Sequence, residues 1–150
     1  MRATLQVTID CADPGTLTAF WAAALGYEIE PPPGDFDSWN AYWRSTGVPD
    51  DELPASGDAA DSIVDPEGTG PRIWFQPVPE VKTVKNRVHL DLMVSGGRAV
   101  ALAQRRDAVD AEVARLTALG ATVLRVLEFE GVDYYAVVLQ DPEGNEFCVA

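Results

Sequence analysis

The sequence predicts an α+β fold in which one structural unit is written twice. Asp-Pro-Glu-Gly occurs at residues 65–68 and again at 141–144 of a 150-residue chain. Each copy sits late in a half that reads strand, helix, strand, strand, strand. Between the halves, "PEVKTVKN" at 79–86 has no apolar period and reads as a linker. The expected organisation is a single domain with one module over about 1–78, a linker over 79–86, and a second module over about 87–150.

The first half opens with "ATLQVTID", which places Leu5, Val7 and Ile9 on one side and Gln6, Thr8 and Asp10 on the other. That alternation is the mark of a half-buried strand. Asp13 and Pro14 then start a helix with Leu17, Phe20, Trp21, Ala24 and Leu25 on one stripe, which Gly26 stops. "YEIE" is a short strand ended by "PPPG", because consecutive prolines cannot donate to a ladder. Trp39, Tyr42 and Trp43 fall at helical spacing, predicting an inserted helix over 38–46 capped by Asp37, then a mobile acidic loop through about residue 60. "SIVDPEGTGPRIWFQPV" is two strands around the first Asp-Pro-Glu-Gly turn.

In the second half, "RVHLDLMV" alternates with His89, Asp91 and Met93 on one side. A helix over about 106–119 turns Val109, Val113, Leu116 and Leu119 inward and ends at Gly120. "ATVLRVLE", "DYYAVVLQ" and "EFCVA" are strands, and the second Asp-Pro-Glu-Gly turn joins the last two. Matching the halves sets "VTIDC" against "VHLDL" directly or with a shift of two residues. Both choices keep each side chain on the same face, so period alone does not choose.

Composition narrows the functions. A formal charge of −13 repels nucleic-acid phosphates and favours a cationic or neutral partner. The apolar runs fall short of the ~18 residues of a membrane span, and the alternating N-terminus offers no signal-peptide core, so a cytoplasmic protein is expected. Cys11 and Cys148 fit no metal-ribbon or redox spacing and read as buried thiols.

"IDCADPGTLTAFWAAALGYEI", "PRIWFQPVPEVKTVKNRVHLDL" and "DPEGNEFCV" resemble the vicinal oxygen chelate superfamily, in particular its glyoxalase-like proteins. The resemblance implies paired βαβββ modules whose curved mixed sheets surround a cavity, with helices outside, and a homodimer. It also covers many activities, from glyoxalase I and extradiol dioxygenases to bleomycin-sequestering proteins. Carried over residue by residue, the superfamily's metal positions fall on Gln6, Gln76, His89 and Cys148. No carboxylate stands among them. Zn²⁺ accepts imidazole and thiolate, and Asp91 and Glu146 share the faces of His89 and Cys148, but harder cations want oxygen donors.

His89 is the only histidine and the candidate for any imidazole chemistry. The implied cavity wall adds Gln6, Thr8, Trp74, Gln76, Asp91, Glu146 and Cys148, with Trp39 and Trp43 as an aromatic cover from the insertion. The preferred reading is a metal-free protein that binds a small, aromatic or cationic molecule, in the manner of bleomycin-resistance proteins. The alternative is a lyase or dioxygenase using a divalent ion (Zn, Mn, Ni or Fe).

Overall fold

The computed structural model describes residues 3–53 and 60–150, which form two compact units, 1–78 and 79–150. The expected acidic loop through residue 60 falls partly on 54–59, outside the described residues.

The first unit runs β1 (Gln6–Cys11), α1 (Pro14–Leu25), β2 (Glu28–Ile29), α2 (Trp39–Ser45), β3 (Ser62–Val64) and β4 (Arg72–Pro77), with a short 3-10 turn at Asp50–Glu52. The second runs β5 (Asp91–Leu92), α3 (Leu102–Ala118), β6 (Thr122–Glu128), β7 (Tyr135–Gln140) and β8 (Glu146–Val149). The sheet orders are β1-β4-β3-β2 and β5-β8-β7-β6. In each, the first and last strands are parallel neighbours and the other pairs are antiparallel. The predicted α+β class and strand-helix-strand-strand-strand repeat are therefore present in both units.

Local chemistry explains the elements. Asp13 accepts from the Gly15 and Thr16 amides at 3.0 and 3.3 Å, satisfying donors that open α1 without helical partners. At the other end Gly26 takes φ +69°, and Tyr27 N–H reaches back to Ala22 O at 2.9 Å. Helix α3 ends in the same way: Gly120 takes φ +113°, and Ala121 N–H reaches Leu116 O at 3.0 Å. One face of each sheet packs on its helix. Ile63, Ile73 and Phe75 join Leu17, Phe20 and Trp21 in the first unit. Val137, Leu139, Phe147 and Val149 join Val109 and Leu116 in the second.

The two Asp-Pro-Glu-Gly turns do the same work. Asp65 accepts from the amides of Glu67, Thr69 and Gly70, and Asp141 from those of Glu143 and Asn145. The fourth residue of each, Gly68 or Gly144, returns its N–H to the aspartate carbonyl at 2.9 Å. The Glu67 amide, the Thr69 hydroxyl and the Gly70 amide together hold the Asp65 carboxyl down at about 2.

Several boundaries differ from expectation. Helix α2 is capped by Ser38, whose Oγ accepts from Ala41 N–H at 3.0 Å, rather than by Asp37. Helix α3 starts at Leu102, four residues earlier than the apolar stripe suggests. Its first turns are anchored by Arg105, 6% exposed, which donates to Val100 O at 2.9 Å and pairs with Asp133. Leu119 lies beyond the last helical residue and is 39% exposed instead of inward. Strand β5 has only two paired residues, so His89 and Met93 lie outside it, although Cys148 N–H still reaches Leu90 O at 2.9 Å. Among the described residues no helix is long and apolar enough to cross a membrane.

Candidate functional site

The register resolves the two-residue ambiguity. Trp74 of β4 pairs with Ser62, three residues before the Asp65 turn, and Cys148 of β8 pairs with Val138, three residues before the Asp141 turn. Trp74 also lies beside Thr8, and Cys148 beside Asp91. The structural counterparts are therefore Thr8 with Asp91, Gln6 with His89, and Trp74 with Cys148. The matching of Gln76 to Cys148 by apolar alternation is corrected by two residues. The first turn is longer by Thr69 and Gly70, both tied to Asp65, and a two-residue change leaves alternation intact.

In the second unit three predicted residues come together. His89 Nδ1 stands 3.0 Å from Asp91 Oδ1 and 3.8 Å from Cys148 Sγ. One ligand atom from each lies within 4.8 Å of the others. His89 and Asp91 are exposed, while Cys148 is buried beneath them. Burial, and then the Asp91 carboxylate, push the Cys148 thiol up from its ordinary value, so it is protonated near neutral pH and poorly suited to be a nucleophile. Glu146, on the same face of β8, is paired with Lys85. That ion pair, helped by Arg125 and Lys82, keeps its carboxyl below the ordinary glutamate value.

The corresponding face of the first unit is closed by its own cation, which the sequence reading missed. Arg72 Nη1 donates to Gln6 Oε1 at 2.9 Å, and its Nη2 lies 2.6 Å from Glu30 Oε2. Ser62 Oγ completes the set, 2.8 Å from the same carboxylate oxygen. Trp74 Nε1 donates to Asp61 Oδ2 at 3.0 Å, and Thr8 and Gln76 share its face through the β1–β4 register. Trp39 and Trp43 stack at 5.8 Å, and Trp39 Nε1 donates to Glu30 O at 3.1 Å, so the insertion helix docks by its aromatic side. Trp43 remains 39% exposed.

The donor cluster fits a soft divalent cation better than a hard one. It offers nitrogen, oxygen and sulfur, and tetrahedral zinc with bonds of about 2.0–2.3 Å sets its ligands roughly 3.3–3.6 Å apart. The two separations from His89 Nδ1, 3.0 and 3.8 Å, bracket that range. Asp91 also supplies the carboxylate that the four-residue set lacked.

Two modules of identical strand order, one of them carrying this donor cluster on β5, the residues just before it, and β8, define a chain of the vicinal oxygen chelate type. The chain belongs to the glyoxalase-like domain family, whose match spans residues 6–150. Among solved structures it is similar to a glyoxalase/bleomycin resistance protein/dioxygenase family enzyme from Burkholderia phytofirmans PsJN. The identity is 20% and the TM-score 0.58, over 98% of this chain and 97% of that one. A hypothetical protein from S. aureus is similar at 15% identity and TM-score 0.59, over 99% and 93% of the two chains. So is a variant of the fosfomycin resistance protein FosX from Listeria monocytogenes, in complex with Mn(II) and 1S,2S-dihydroxypropylphosphonic acid. It shares 13% identity with a TM-score of 0.58, over 99% and 90%. At these identities the likeness establishes the fold. No curated protein sequence matches the chain.

Proposed function

We propose that this glyoxalase-like protein binds a small molecule at the His89, Asp91 and Cys148 cluster, and that these residues hold a divalent ion, zinc by donor chemistry. The observation that carries this reading is the convergence of three different donor atoms within 4.8 Å. It reverses the preference for a metal-free site, which rested on the absence of a carboxylate. When bound, zinc acts as a Lewis acid on a ligand oxygen. The chain's own contributions are separate. Asp91 orients the imidazole by accepting from Nδ1–H in the unloaded site, and Cys148 must release its proton to become a ligand. Because that thiol is held up, uptake should strengthen as pH rises.

The test is zinc content and affinity of the full chain prepared without chelator. About one zinc per chain is expected, with affinity weakened at least about tenfold by His89→Ala or Cys148→Ala. Failure of the wild-type chain to take up stoichiometric zinc in a competition titration at pH 8 overturns the reading.

A metal-free binding role is the second reading, supported by the half-exposed aromatic group of Phe36 and Trp43 on the insertion. An organic molecule retained by zinc-free protein would favour it. Homodimer formation belongs to the same proposal. Its support is the sheet-edge strand β6, which exposes Val123, Leu124 and Val126, and sedimentation equilibrium measures it.

A further inference from the structure

The chain has only two lysines, Lys82 and Lys85, and both line one cavity of about 260 Å³ in the second unit. Thr83, Gln140, Glu143 and Glu146 also border it. In a chain with 24 acidic and 11 basic residues, such a gathering of ammonium groups runs against the composition. The two lysines are used differently. Lys85 is paired with Glu146, and Asn86 Oδ1 accepts from Glu146 N–H at 3.2 Å, so this segment is fastened to β8 at two points. Lys82 donates to Val84 O of its own segment, and among the described residues it forms no ion pair. An ammonium has three protons to donate, and Val84 takes one of them.

The local charge gives the ligand's sign. Lys82, Lys85 and Arg125 all act on Glu146, while Glu143 is the second carboxylate at the cavity. The lining itself holds two cations and two carboxylates; with Lys85 held by Glu146 and Arg125 also acting on that carboxylate, the Lys82 ammonium is the charge placed to receive an anion. The Thr83 and Gln140 side chains border the same cavity, and the Gln140 amide's bond to Gly144 O is long at 3.4 Å and readily exchanged. At about 30 Å³ per water-sized group, the cavity holds roughly eight or nine non-hydrogen atoms, and its mostly polar border suits a polar ligand.

We propose that this cavity is a binding site for a short, polar organic carboxylate, received by the Lys82 ammonium with Thr83 and Gln140 as neighbouring donors. Lys85 stays with Glu146 and shapes the wall. The site shares a strand face with the donor cluster, since Glu146 and Cys148 alternate along β8, but it needs no metal.

The test is an NMR titration of the chelator-treated full chain with 3-hydroxybutyrate, and with 3-hydroxybutyramide as the neutral match. Saturable shifts of the Thr83, Gly144 and Glu146 amides are expected for the acid and not for the amide. Lys82→Ala should weaken binding about tenfold, and Lys82→Arg should hold it within about threefold, as a charge-assisted contact requires. Arg44→Ala, which removes an exposed cation of the first unit, should change nothing. Linear, unsaturating shifts overturn the proposal, as do equal binding of the neutral amide or an unchanged affinity in Lys82→Ala. Saturation by the acid in a chain that takes up no zinc removes the metal reading and leaves this one standing. Zinc uptake without saturable shifts does the reverse.

Discussion

The two modules place counterpart residues on one strand plan and fill them with opposite chemistry. Where the first has Gln6, the second has His89; where the first has Trp74, the second has Cys148. The Gln6 amide is taken by the Arg72 guanidinium, which also satisfies Glu30. Its polar face thus carries an internal cation with its partners already chosen. In the second module the residue matching Arg72 is Glu146, which reaches out to Lys85, and His89, Asp91 and Cys148 converge on one another with lone pairs to offer. A duplicated fold can therefore keep one copy as a closed support and leave the other to take a ligand.

The turn aspartates give the largest expected break in this pairing. Asp141 is 3% exposed and accepts two backbone amides and the Asn145 side chain. Asp141→Ala should leave these donors buried and unmatched, costing about 3 kcal/mol in urea unfolding. Asp65→Ala, at the more open turn, should cost clearly less. Equal losses would mean that the turns are not specialised by burial.

Arg72→Ala should cost about 2 kcal/mol, because it leaves the part-buried Glu30 carboxylate without its cation. Lys85→Ala, the removal of the corresponding partner in the second module, should cost less, since that lysine is largely exposed and Arg125 and Lys82 also act on Glu146. A larger loss for Lys85 would contradict the contrast between closed and open faces.

The smallest effect concerns acid. Asp65 takes up its proton near its ordinary 3.8 when unfolded but only at about 2 when folded. Its contribution to stability is present above 3.8 and is lost as pH falls toward about 2. Asp65→Asn should flatten that part of the stability curve. An unaltered acid limb would place the pH dependence in other carboxylates, such as Glu30, whose pairing with Arg72 and Ser62 also holds its carboxyl below the ordinary value.

Much of this architecture was legible in the residues. The Asp13-Pro14 start and Gly26 stop bounded α1 closely, and the repeated Asp-Pro-Glu-Gly located both late hairpins. The register was not legible, because Thr69 and Gly70 lengthen one turn by two residues and strand alternation is blind to an even shift. Arg105 and Arg72 were also missed. A buried or half-buried arginine has no periodic signature, and its partners, Val100 and Asp133 for one and Gln6 and Glu30 for the other, are brought to it only by tertiary structure. Of the site, His89 and Cys148 were named through the family resemblance, and Asp91 from the strand face it shares with His89. The role of "VKTVK" was hidden because an aperiodic segment between modules reads as a connector.

That segment has a practical consequence. Since Lys82 and Lys85 are the chain's only lysines, every side-chain adduct of an amine-selective acylating reagent reports on a single cavity, and peptide mapping separates it from acylation of the α-amino group. Acylation would erase the positive charge there and deepen the acidity of the rest of the molecule. Mass spectrometry of such adducts, with and without a competing carboxylate, would report occupancy without any engineered handle.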